Sequence, residues 1–324
     1  MPTQLFGTNS LGGYFTNNEL SLQLRIKAQP LKRFRQFVQI KGAKGARRGN
    51  KVYFDKLQPV AAAASTSGLA ETATIPETNF TINQGTLTIQ EYANAIAFTN
   101  QLVALSELDI DNSVVQTLMN DMAITLDSVA AAQFQASDLT YVCSASNSVN
   151  LGTNGTFTST ASSNLNGTNW RYICDDMRKK NIPFYDGQSY VVICSVNALS
   201  GFFNDVQTGG FVDVTKYSET LSEYLYRGEA GRYYMGRFVE ETNALSNLKG
   251  TSLTAGEACA VGFDAVMEGV AIPEELREKV PTDYGRSQGI AWYALLGFQK
   301  IWNQSNAGAG NGDSSERIAH IGSL

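Results

Sequence analysis

Gly49-Asn-Lys-Val-Tyr-Phe54 and Thr86-Leu-Thr-Ile-Gln-Glu-Tyr-Ala-Asn94 are the two ends of one long excursion, and their reading decides the fold. Both are rich in β-branched and aromatic residues and predict strands over Lys51 to Leu57 and Ile82 to Thr99. In the second strand Phe80 and Ile82 share one parity, Leu87 and Ile89 the other, with Gly85 between them. A parity switch at a glycine predicts a β-bulge or a sharp bend at Gly85. The connection between the strands is rich in Ala, Ser and Thr, including Ala61-Ala-Ala-Ala64 and Ser65-Thr-Ser-Gly68. Structureless connections beyond ~12–15 residues are uncommon in compact domains, and an isolated two-stranded ribbon is marginal in water. The excursion is therefore expected to rest on something outside its own core.

The segment just before it is unusual in charge. Arg25, Lys27, Lys32, Arg33, Arg35, Lys41, Lys44, Arg47, Arg48 and Lys51 fall in a stretch without one Asp or Glu. The whole chain holds 25 basic and 30 acidic residues, so the remainder carries 15 against 30, a net of −15. Such a split predicts a negative partner for the arm, either nucleic acid or the acidic body of another copy. Leu31, Phe34 and Phe37/Val38 recur at helical spacing after Pro30, predicting a short helix within the arm. Lys41-Gly-Ala-Lys-Gly-Ala-Arg-Arg-Gly49 reads as a flexible basic loop; it lacks the Gly-Lys-Ser/Thr of a phosphate-binding loop.

After the excursion, Ser106-Glu-Leu-Asp109 has the form of a capping box. Val115, Leu118, Met122, Leu126, Val129 and Gln133 then track one face, widened by Val114, Met119, Ala130 and Phe134. A helix of roughly thirty residues would span about 45 Å, the dimension of a structural spine. Residues 144–169 read as a polar surface loop. Trp170, Ile173 and Met177 predict a short amphipathic helix ending near Asn181, Tyr190-Val-Val-Ile-Cys194 a buried strand, and Ser195 the cap of a helix carrying Leu199, Phe202 and Phe203. This order implies an α+β unit. Gly228 to Val239 reads as a glycine-punctuated strand pair and Ala258 to Phe263 as a strand. Ile290 to Phe298 fits either a strand or a buried helix, and Ser305 to Ser315 reads as a linker to a last short element, Arg317 to Ile321.

Catalytic equipment is sparse, and neither a metal nor a cofactor is expected. The one histidine, His320, reads as a strand residue exposed on one side. Cys143, Cys174, Cys194 and Cys259 show no paired spacing and read as buried reduced thiols. Asp109 and Asp111 suit the positive end of the spine helix better than a calcium loop. The acidic pairs Asp175/Asp176, Glu240/Glu241 and Glu274/Glu275 leave a carboxylate-dependent hydrolase as a remote reading. No apolar run approaches a membrane span, and the start of the chain does not read as a secretion signal.

The order of parts resembles the major capsid proteins of tailed bacteriophages with the Hong Kong 97-type fold, in particular those of phages similar to coliphage N-four. The resemblance rests on Gly49 to Phe54 and Thr86 to Asn94, on Gly228-Glu-Ala-Gly-Arg-Tyr-Tyr-Met-Gly236 with Glu240/Thr242, on Ala291-Trp-Tyr-Ala-Leu-Leu-Gly-Phe298, and on Arg317-Ile-Ala-His-Ile321. It implies an α+β fold with an N-terminal arm (1–49), an extended loop (50–99), a peripheral domain with the spine helix (100–165), an axial domain (166–285) and a return to the peripheral domain (286–324). It also implies a non-catalytic shell subunit whose copies form the hexamers and pentamers of a phage head, assembled in the cytoplasm of a bacterial host. The implied partners are other copies of the chain, a separate scaffolding protein, a portal protein, a decoration protein, and packaged double-stranded DNA met by non-specific charge contacts. An encapsulin-type shell, or a DNA-binding protein using residues 25–51, are the competing readings.

Overall fold

The computed structural model describes residues 33–42, 49–57, 68–75, 77, 82–106, 109–152, 155–203, 231–242, 247–248, 250–281, 283–302 and 316–324. The expected tail at 1–20, most of the basic loop, residues 58–67 of the excursion and the 305–315 linker lie outside them.

The described chain opens on Phe34 and a single 3-10 turn, Arg35–Phe37, rather than a longer helix. Strands β1 (Gln39–Gly42), β2 (Lys51–Leu57), β3 (Ile82–Thr88) and β4 (Gln90–Thr99) follow. β2 and β3 pair antiparallel in unbroken register, with Phe54 opposite Gly85. The bend expected at Gly85 lies instead at Ile89, between β3 and β4. Gly85 is there for room: a Cβ built on it would collide with the Phe54 ring.

Helix α1 (Asn100–Leu105) is short, and the spine helix is α2 (Ile110–Gln135), 26 residues or about 39 Å. Its N-cap is Asp109, whose carboxylate accepts from the Asn112 N–H at 3.2 Å; Ser106, the expected cap, ends α1. A carboxylate at the cap also meets the positive pole of the helix. Ile110, Val114, Leu118, Leu126, Ala130 and Phe134 are buried, whereas Met119 is half exposed, so the buried stripe is turned from the expected one.

The chain continues through β5 (Leu139–Ala145), β6 (Ser148–Leu151), α3 (Gly167–Lys179), β7 (Tyr190–Ser195) and α4 (Val196–Phe203). It closes through β8 (Arg232–Tyr233), β9 (Gly236–Glu241), β10 (Gly256–Val261), β11 (Val266–Glu278), β12 (Ser287–Lys300) and β13 (Ile318–Ser323). The apolar run from Ile290 is thus a strand. β11 was not expected: Glu268, Gly269, Pro273 and its charged end disguise its period. Register shifts bracket Ile272, next to Pro273, which can donate no ladder hydrogen bond.

Two larger sheets result. One has the order β1-β11-β12-β4; the other has seven strands, β6-β5-β13-β10-β7-β9-β8. The sheets divide the chain differently from segments 100–165, 166–285 and 286–324. β5 and β6 join the sheet that carries α3 and α4, β11 pairs with β12, and β13 returns to the seven-stranded sheet.

β7 is buried throughout because both of its faces are covered. Val191 and Ile193 face a core with the spine helix and Trp292, Leu296 and Phe298 of β12. Tyr190, Val192 and Cys194 face a second core with Trp170, Ile173 and Met177 of α3 and Leu199 and Phe202 of α4. Ser195 caps α4 as expected, accepting from the Ala198 N–H at 3.3 Å.

Candidate assembly surface

Four of the ten basic residues singled out in the sequence are described: Arg33, Arg35, Lys41 and Lys51. Arg25, Lys27, Lys32, Lys44, Arg47 and Arg48 lie outside the described residues. Lys41 and Lys51 are exposed. Arg35 is not available to a neighbour, because its own chain engages it. Its guanidinium meets Glu268 at 2.7 Å, also pairs with Glu274, and its backbone N–H donates to Asp127 at 3.0 Å. Burial opposes the Arg35 charge, but hydrogen bonds and attraction from Glu268 and Glu274 outweigh it and hold its pKa above the ordinary value. On either side, Phe34 is fully buried with its ring centroid 5.5 Å from that of Phe134, and Phe37 meets Tyr185 edge-on at 5.7 Å. Residues 33–42 are thus an anchor, pinned to the spine helix, to β11 and to the segment before β7.

The β2–β3 hairpin has one docked face and one open face. On the docked face Phe54, Leu87 and Ile89 pack with Met267 and Ile301. Leu87 presses into a dimple where Gly269 and Gly297 stand opposite one another across the β11–β12 ladder. A Cβ on Gly269 would meet Leu87 at 2.8 Å, and one on Gly297 would collide with the Thr88 carbonyl oxygen. Lys56 donates to the Ile301 carbonyl at 2.8 Å. On the open face Tyr53 is 54%, Leu57 63% and Ile82 57% exposed, and Leu57 stands directly opposite Ile82. Apolar surface also lies at the far end of β11 and β12, where Leu276, Val280 and Tyr284 are exposed. That turn is held in place by α1: Asn100 donates from its backbone to Arg286 and from its side chain to Gly285. A groove of about 740 Å³ runs between the spine helix, β4 and β12, lined by Tyr92, Val129, Phe298 and Gln299 among others.

Among the described residues, several groups singled out in the sequence are engaged in holding structure. His320 is buried, not exposed; it lies 3.2 Å from Glu257, with the Phe157 ring against it at 4.8 Å. The four cysteines are buried, and burial pushes Cys143 and Cys174 up to about 12. Asp176 accepts from Tyr141 at 2.6 Å and pairs with Lys180, and Asp175 pairs with Arg178 and Tyr234. Glu274 pairs with Arg35 and Glu275 with Arg277. Among the described residues no helix is long and apolar enough to cross a membrane. The buried charges Glu268, Lys300 and Glu316 were missed in sequence, where each sits in an apolar or glycine-rich setting that hides it.

The whole chain superposes on solved bacteriophage structures. It matches a chain of the cyanophage Pam1 capsid asymmetric unit with a TM-score of 0.69 at 12% identity, covering 97% of this chain and 98% of that one. The capsid of cyanophage P-SCSP1u gives 0.65 at 11% identity over 100% and 98%. The chain has the Hong Kong 97-type fold. A chain of Mycobacterium phage Che8 shares it, with a TM-score of 0.64 at 14% identity over 95% and 97%. No family model and no curated protein matches.

Proposed function

We propose that the chain is the major capsid protein of a tailed bacteriophage, a structural subunit that assembles into hexamers and pentamers of an icosahedral head enclosing double-stranded DNA. The observation that carries this reading is the end-to-end match to phage capsid chains, 97% of this chain on 98% of a capsid subunit. The surfaces agree with it. A subunit of a thin shell needs obligate contacts, which typically bury more than ~2,000 Å², and the open face of the hairpin and the end of the β11–β12 pair offer exposed apolar residues far from the main cores.

In this role residues 1–49 form the arm and 50–99 the extended loop, each lending one strand (β1 and β4) to the four-stranded sheet, which with the spine helix makes the peripheral domain, while the seven-stranded sheet with α3 and α4 makes the axial domain. Lys41, Lys51 and the basic residues outside the described segments meet neighbouring subunits first and packaged DNA second; Arg35 does neither. A separate scaffolding protein, a portal and a decoration protein complete the head, which assembles in the cytoplasm of the bacterial host.

Expression of the full chain, followed by size-exclusion chromatography and negative-stain microscopy, tests the proposal. Shells, capsomers or curved sheets are expected. A monomer that persists over a wide concentration range, with and without co-expressed phage head proteins, overturns it.

A further inference from the structure

A cluster of four charges lies where the loop end of the β2–β3 ladder meets the body, and the fold alone does not account for its composition. Lys300, at the end of β12, has its ammonium 2.9 Å from Glu316, 3.2 Å from Asp138 and 2.7 Å from the Ala136 carbonyl at the end of the spine helix. Its side chain is 8% exposed and that of Glu316 is 0%. The backbone N–H of Asp138 also donates to Glu316 at 3.3 Å. The fourth charge, Lys56, comes from the hairpin and donates to the carbonyl of Ile301, the residue after Lys300. A cleft of about 260 Å³ lined by Phe54, Lys56, Gln84, Gly85, Thr86, Gln299, Lys300 and Ile301 opens beside it. Arg317 is turned elsewhere, over the Trp302 ring at 3.9 Å and toward Asp264 at 3.7 Å.

With every group ionised the cluster is neutral, two positive charges balancing two negative ones. Burial pushes Glu316 up to about 7, with Lys300 opposing the shift. Lys56 feels the same pair: burial lowers its pKa, Glu316 raises it and Lys300 lowers it. A proton on Glu316 leaves the cluster at +1. Lys56 then loses its attraction and keeps both its desolvation and the repulsion of Lys300.

We propose that Lys56, Lys300, Glu316 and Asp138 form a proton-operated catch on the β2–β3 hairpin: uptake of one proton at Glu316 weakens the hold of Lys56 on the body and frees the loop end of the paired strands. By reciprocity, release of that end favours that proton. The catch works in the single chain, so it stands apart from the capsid reading.

Amide hydrogen exchange across β2 and β3 tests it, on the full-length chain with its state of association held constant and rates corrected for the intrinsic effect of pH. In the wild type, protection around Lys56 in the hairpin falls about threefold to tenfold between pH 8 and pH 6, the size of one unit charge acting through a partly screened interior. Glu316→Gln gives the low protection at both pH values. Lys56→Met, at a partly exposed position, gives pH-independent protection, and it decides the matter if the Glu316 variant fails to fold. Protection in β7 and β10, which reports global stability, does not fall with that of the hairpin as the pH drops. Equal wild-type protection at both pH values overturns the proposal, as does a wild-type pH response that persists in either variant.

Discussion

Removing Arg35 exposes the sharpest energetic consequence of the anchor. Replacement by Leu keeps the packing of the aliphatic stem and leaves Glu268, which is 0% exposed, without its guanidinium. Breaking a buried pair from one side costs ~3–5 kcal/mol. Arg35→Leu should therefore lose about 3–5 kcal/mol at pH 7. Glu274 is 22% exposed and adds only a rim contribution of ~0.2–1 kcal/mol. One signature of the loss follows from this origin. Arg35→Leu with Glu268→Leu should recover most of it, because no buried charge is left. Urea unfolding of the unassembled chain at pH 7, on both single variants and the double, measures each quantity. A loss under 1 kcal/mol at pH 7, or a double variant no more stable than Arg35→Leu, refutes the reasoning.

Truncation tests the anchor: a chain starting at residue 43 should lose, relative to the full chain, at least the ~3–5 kcal/mol of an excised core phenylalanine, since Phe34 is fully buried. Calorimetry distinguishes them, and equal melting temperatures refute the anchor. Gly297→Ala drives a methyl group into the Thr88 carbonyl oxygen; overpacking of this kind costs ~1–3 kcal/mol and, by loosening the hairpin, should speed tryptic cleavage at Lys51 and Lys56, whereas unaltered cleavage refutes the dimple. Glu316 titrates near 4.5 when unfolded and near 7 when folded. Its raised pKa therefore contributes stability that is full below pH 4.5 and is lost as pH rises through 7, on the order of 3 kcal/mol. Melting temperatures from pH 5 to pH 8 should show this slope, and Glu316→Gln should flatten it. The Glu316 contribution thus rises with acid while the hold of Lys56 on the body loosens, and the opposite signs keep the two effects separable.

What the sequence revealed was local. β7 was legible because six consecutive residues are buried on two faces, and Ser195 because a cap acts over three residues. The spine helix was legible by period, but its start moved from Ser106 to Asp109, since α1 occupies the preceding turn. Partners distant in sequence were hidden. Arg35 reads as one more positive charge until β11 brings Glu268 to it from 233 residues away. His320 stands in a short strand near the chain's end with no partner visible in sequence, and only the fold, which sets Glu257 and the Phe157 ring against it, shows that both faces of β13 are covered. Gly85 was a correct flag with the wrong meaning: the backbone stays regular, and the missing side chain makes room for Phe54.

The Leu87 seat also bears on how identical chains fit unequal surroundings. A rounded side chain held between two bare stretches of backbone behaves as a ball in a socket, which fixes where the hairpin begins but not the angle at which it leaves. In the proposed role, one chain must meet neighbours in rings of six and of five. Curvature could then change at a pivot in each subunit, while the sheets and the spine helix keep one shape throughout the shell.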